Sequence, residues 1–135
     1  MAADLLAVGD EAMPITGTLV ASGAYQAADP SAAEFCPRGA TGMTVTTSVT
    51  VISGAGATLT VHVEGYDKAS GTWVTLLTSA GYVATGAVVI TIDPRIVAAT
   101  NVVAQKGLME RMRVRPVKSG TTTTLTYSIG ASLYL

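Results

Sequence analysis

The sequence predicts an all-β domain: an antiparallel β-sandwich or barrel preceded by an extended N-terminal arm. Three observations carry that expectation. From Met43 onward, apolar and hydroxylated residues alternate at period two in one run after another, the pattern of half-buried strands. Glycine-containing turns separate these runs at near-regular spacing, as they do in sandwiches and barrels. The composition also suits strands, with 20 Thr and 16 Val among 135 residues and only 13% charged side chains. β-Branched residues fit a pleated, half-buried surface. Jelly-roll and immunoglobulin-like topologies both remain open at this point.

Residues 1–40 differ from the rest. They are rich in alanine, hold Pro14, Pro30 and Pro37, and carry five acids before the first base, Arg38. Within them Ile15 to Ala21 reads as a strand, so this part is expected to be an arm that docks one strand. Residues 41–135 are expected to form the sandwich domain. Its first strand is Met43 to Val51, closed by the turn Gly54-Ala55-Gly56. Leu59, Val61 and Val63 alternate with Thr60, His62 and Glu64 in the next. Asp67 to Gly71 is a turn, and Trp73 to Thr78 returns. Val88 to Ile92 follows a break bracketed by Gly81 and Gly86. Asp93-Pro94 has the form of a helix start, with Gly107 past a possible end, although Val102 and Val103 form helices poorly. Met109 to Val117 and Thr122 to Leu135 close the domain. In the last strand Leu125, Tyr127, Ile129, Ala131, Leu133 and Leu135 share one face.

Composition excludes several function classes. A net charge of −1 gives no attraction for nucleic acid. The most apolar run, Tyr82 to Ile92, is half of what a membrane helix needs, and no basic, apolar leader opens the chain. Cys36 is the single cysteine, so no intrachain disulfide forms, and it reads as a buried small hydrophobe. His62, the one histidine, shares a strand face with Glu64, but no second His or Cys completes a zinc site. Phosphate-loop and nucleophile-elbow patterns are absent. The chain therefore reads as a non-enzyme without a cofactor. Trp73, beside Leu76 and Leu77, reads as a core anchor, and the scattered tyrosines weaken a sugar-binding reading.

Charge is more informative than any motif. Residues 1–37 hold Asp4, Asp10, Glu11, Asp29 and Glu34 and no base, whereas residues 95–135 carry a net +5. Arg111, Arg113 and Arg115 lie on one face of one strand. They are either a solvated face that blunts an edge strand or a docking face for an acidic partner, because three like charges in a row repel unless something answers them.

The stretch Glu64-Gly65-Tyr66-Asp67-Lys68-Ala69-Ser70-Gly71-Thr72-Trp73 with Leu76-Leu77-Thr78-Ser79-Ala80, the segment Arg111-Met112-Arg113-Val114, and the ending Leu125 to Leu133 resemble one group of proteins. These are small structural proteins from the head-gene regions of tailed bacteriophages, notably those of actinobacteria. The likeness covers about residues 15–135, and its motifs mark strands and turns rather than a chemical site. It implies a head decoration (cement) protein, made in the host cytoplasm and bound outside the major capsid protein lattice. Such proteins are homo-oligomers, trimers more than dimers, whose N-terminal arm reaches onto the lattice. On this reading Arg111, Arg113 and Arg115 orient docking, while the arm, with Asp4, Leu5, Leu6, Asp10 and Glu11, contacts capsid or a neighbouring subunit. A carbohydrate- or receptor-binding sandwich module and a tail or neck protein are the alternatives.

Overall fold

The computed structural model of the chain describes residues 16–24, 32–37, 39–121 and 124–134. Nine strands are present among them: β1 (Thr16–Ala24), β2 (Ala33–Phe35), β3 (Gly42–Ser53), β4 (Thr58–Asp67), β5 (Thr72–Thr78), β6 (Gly86–Ile92), β7 (Val103–Ala104), β8 (Met112–Ser119) and β9 (Thr124–Tyr134). They form a five-stranded sheet in the order β1-β9-β3-β6-β7 and a four-stranded sheet in the order β2-β8-β4-β5. Every strand pairing is antiparallel except β6 with β7, which meet in parallel through Thr91–Val103 and Ile92–Ala104.

The strand order selects between the two topologies left open. With the two-residue β7 set aside, β1 pairs β9, β2 pairs β8, β3 pairs β6 and β4 pairs β5. That is one long hairpin, and rolling it up brings β9 beside β3 and β8 beside β4. This is the jelly roll, a double-sheet arrangement in which the chain passes between layers except at the β4–β5 hairpin that forms the tip, with β7 again set aside. β1 and β2, which precede the expected boundary at residue 41, complete the two sheets.

Period-two patterning builds the core. Along β9, Leu125, Tyr127, Ile129, Ala131 and Leu133 are buried on one face; Leu135 lies outside the described residues. Met43, Val45 and Val49 of β3 with Ile90 and Ile92 of β6 complete that layer. Leu59, Val61 and Val63 of β4 and Met112 and Val114 of β8 face it from the other sheet. Pro116 sits within β8 without breaking a ladder. Arg111 presents its carbonyl to Tyr66 of β4, so by alternation Pro116 turns its missing N–H the other way, where β2 has ended opposite Val114.

Two corrections concern local structure. Asp93-Pro94 opens no helix. The Asp93 carboxylate accepts the Arg95 N–H at 2.8 Å and both guanidinium arms at 2.9 Å, which closes a turn instead of capping a first helical turn. Asn101, with φ of 61°, then reverses the chain between Ala99 and Val103. The second correction is Trp73, which lies outside the core cluster. In β5 its parity matches Glu64 and Tyr66 on the outer side of the four-stranded sheet, as the Tyr66–Trp73 register shows.

The two sheets differ in chemistry. The five-stranded sheet contains no Asp, Glu, Lys, Arg or His in any strand, and its outer surface includes Thr44, Thr46, Ser48, Ser128, Gly130 and Ser132 beside Ala87, Val89 and Thr91 of β6. The four-stranded sheet holds every Asp, Glu, Lys, Arg and His found in a described strand, from Glu34 to Lys118.

Candidate functional site

The arginines identified in the sequence come together on the outer face of the four-stranded sheet. In β8 the inward residues Met112 and Val114 are fully buried, which turns Arg113 and Arg115 outward. Arg111 precedes the strand on the same parity. β8 is not an edge: β2 flanks it on one side and β4 on the other. The arginines therefore do not blunt an edge strand.

What answers their mutual repulsion is a pair of carboxylates and an indole. Register places Glu64 of β4 opposite Arg113. Arg113 Nε donates to Glu64 Oε1 at 2.6 Å, and Arg115 donates through Nε to Oε1 at 3.3 Å and through Nη2 to Oε2 at 3.1 Å. Thr75 Oγ1 donates to Oε2 at 3.3 Å. The Glu64 side chain is 5% exposed beneath these donors. Arg111 is held by Glu34 of β2, with Nε donating at 2.9 Å. Trp73 lies under the row: the Arg113 guanidinium carbon is 4.3 Å from its ring centroid and that of Arg111 5.3 Å. Tyr66 meets the indole edge-on at 5.3 Å and carries Arg111 over its own ring at 5.0 Å.

No family model and no curated protein matches this chain.

The electrostatics of the face follow from its geometry. Burial alone pushes the Glu64 carboxyl up, but the hydrogen bonds and charges of Arg115 and Arg113 outweigh it and hold Glu64 below its ordinary value. His62, two residues along the same face, has Nδ1 3.1 Å from Thr78 Oγ1. Burial and then the neighbouring Arg115 charge lower its pKa, with Glu64 opposing them, so the imidazole is neutral at pH 7. Three arginines against Glu34 and Glu64 leave one positive charge in excess. It is carried at the rim, where Arg111 and Arg115 are 47% and 39% exposed.

Asp4, Leu5, Leu6, Asp10 and Glu11 lie outside the described residues. Cys36 is half-buried and its thiol donates to the Glu110 carbonyl at 3.0 Å. Among the described residues no group of three His, Cys, Asp or Glu side chains converges as metal ligands do. Sequence reasoning noticed that His62 and Glu64 share a face but missed Glu34, Glu64, Tyr66 and Trp73 as partners of the arginines. Equal parity of Glu64 and Tyr66 on β4, and of the arginines on β8, was visible; the register that sets the strands opposite one another, and the shift that turns Trp73 of β5 outward, are properties of the rolled sheet.

Proposed function

We propose that the chain is a structural protein of a tailed-bacteriophage virion, a head decoration protein that binds the outside of the major capsid protein lattice and stabilises it. The observation that carries this reading is the division of charge between the two sheets. One outer face bears a row of arginines, braced from below and positive in sum; the strands of the other sheet bear no charge. A protein built this way has one face able to steer toward an acidic lattice and to fix its orientation there. The jelly roll itself recurs in viral capsid and lectin domains, a fold-level analogy that agrees with the sequence resemblance.

Arg111 and Arg115 make the outward contacts in this reading, while Arg113 is committed to Glu64 and Trp73. The N-terminal residues, with Asp4, Leu5, Leu6, Asp10 and Glu11, tether the domain to capsid or to a neighbouring copy of the homo-oligomer. Stabilisation is mass action: a ligand that binds the assembled shell and not its parts contributes RT ln(1 + [L]/Kd) at each site. Many weak sites on one lattice add through effective concentration. Synthesis in the host cytoplasm and residence on the capsid exterior belong to the same proposal.

The test uses Arg111→Gln combined with Arg115→Gln, because both leave the Arg113–Glu64 contact in place. The double variant is expected to occupy decoration-free shells of the major capsid protein less fully, with a flatter dependence on salt. Occupancy and salt dependence equal to those of the wild type would remove the arginine face from the mechanism. A sugar-binding module would instead show glycan affinity that Trp73→Ala abolishes, although the Arg113 guanidinium already lies over that ring.

A further inference from the structure

From Ala69 to Gln105 the chain carries Asp93 and Arg95 as its only charged residues, and these two neutralise each other through the bidentate pair. The same segment holds most of the large apolar side chains left in water: Val74 at 42%, Val83 at 69%, Val88 at 40%, Val89 at 49%, Val97 at 78% and Val102 at 49% exposure. It forms one flank of the sandwich, where β5 ends the four-stranded sheet and β6 approaches the end of the five-stranded one. A monomer seldom leaves so apolar and so uncharged a surface uncovered.

The backbone of β6 is also open. Thr91 donates its N–H to the Val102 carbonyl at 2.8 Å and Asp93 to that of Ala104 at 3.0 Å, so odd-numbered residues turn their peptide groups away from β3. β7 meets β6 at Thr91 and Ile92 alone. By strand alternation Ala87 and Val89 point their N–H and carbonyl groups the same way, and among the described residues no strand pairs with them there. Edges of this kind are ordinarily guarded by a charge, a proline or a bulge. Gly86-Ala87-Val88-Val89-Ile90 has no charge and no proline, and its register with β3 runs without a shift.

We propose that this flank is a self-association surface, on which β6 of one copy pairs antiparallel with β6 of a second copy across a two-fold axis. The occupant is a second copy for two reasons. An antiparallel strand edge presents a donor–acceptor pattern that its own two-fold image satisfies, so the contact is self-complementary and closed. The flank is electrically neutral, so facing itself brings no like charges together. Five paired residues alone bury little. The exposed valines of β5, β6 and the loop after β6 must therefore join the contact and bring it toward the about 800 Å² per partner of a standard interface. The contact closes at two copies and so replaces the trimer that the sequence resemblance implies.

Sedimentation velocity on the isolated full chain tests this without any capsid, so its outcome is separate from that of the decoration reading. The wild type is expected at twice 13.7 kDa across a dilution series from tens of micromolar downward. Val89→Lys and, as a second variant, Ala87→Glu are expected to halve that mass while melting as cooperatively as the wild type, since both side chains are exposed. Thr18→Lys on β1, at the opposite edge of the same sheet, is expected to leave the dimer intact. A wild-type monomer, a species of three or more copies, or a dimer that both β6 variants leave whole would each overturn the assignment.

Discussion

Replacing Glu64 by glutamine removes one charge from the middle of the arginine row and keeps the side chain's size. Taking one partner from a fully desolvated ion pair costs about 3–5 kcal/mol. The Arg113 side chain is 22% exposed and that of Glu64 5%, so the low end of that range, about 3 kcal/mol, applies to their contact. Arg115 is 39% exposed and screened by water, so its share is at most about 0.5 kcal/mol. Glutamine still offers Arg113 one carbonyl acceptor, which returns about 1 kcal/mol. The net loss is about 2–3 kcal/mol, equivalent to a fall in Tm of about 10 °C for a domain of this size. Urea titration should show it as a midpoint lowered by about 1 M at unchanged slope. The pH dependence has a fixed sign. The folded-state pKa of Glu64 is depressed, so its contribution is complete above the unfolded value of 4.5 and is lost as pH falls through the lower folded value. Wild type and Glu64→Gln should therefore converge in acid. A midpoint that moves by less than about 0.3 M at pH 7, or a gap that persists unchanged in acid, would refute the view that Glu64 holds the face together.

Other consequences can be checked on the same instruments. His62 has a depressed pKa, so stability should decline as pH falls below 6.5, where the unfolded chain takes up the proton first; His62→Gln should abolish that decline in urea midpoints measured between pH 7 and 5. Trp73→Ala should cost about 1–2 kcal/mol rather than the about 3–5 of a core tryptophan, because it removes stacking under exposed guanidinium groups; a larger loss in Tm would return Trp73 to the core. Gly120 has φ of +76° and a Cβ there would overlap the Gly56 carbonyl, so Gly120→Ala should lower stability by about 2 kcal/mol or more. Gly65→Ala would run into the Met109 side chain from Sδ back to Cβ, so Met109 must move as a whole and Tm should fall there too. Deleting residues 1–13 should weaken binding to capsid shells and leave Tm where it was; a lower Tm would place those residues in the fold.

The sequence disclosed what is local and withheld what is not. Inward and outward parity in β3, β4, β8 and β9 was legible because the strand period is two, and Leu125 to Leu133 are buried in the predicted alternation. β2 and β7 are three and two residues long, too short for alternation to register. Asp93-Pro94 failed because an aspartate before a proline suits a side-chain-closed turn as well as a helix cap, and Arg95 settled the choice by taking the carboxylate. Trp73 was misplaced by its neighbours Leu76 and Leu77. A register shift between Val63 and Glu64 puts Leu77 opposite Val63 on the inner side while Trp73 remains outside, and no feature of the chain near Trp73 announces that shift. The arginine row was visible in one strand, and its counter-ions were not, because Glu34 and Glu64 reach it from two other strands.

The rolled hairpin has a consequence for how this domain is born. β9 is made after the other eight strands, yet it lies in the interior of its sheet, between β1 and β3. β1 waits for it across nearly the whole chain, Thr16 against Ser132, and β2 waits for β8. During synthesis β3 and β6 can meet early, but β1 has no partner until residues 124–134 emerge. Closure thus waits for β9 and depends on contacts between distant residues, which makes folding slow for the domain's size. While it waits, β3 has bare the edge that β9 will take, so the nascent domain is most vulnerable to wrong pairing before that strand arrives.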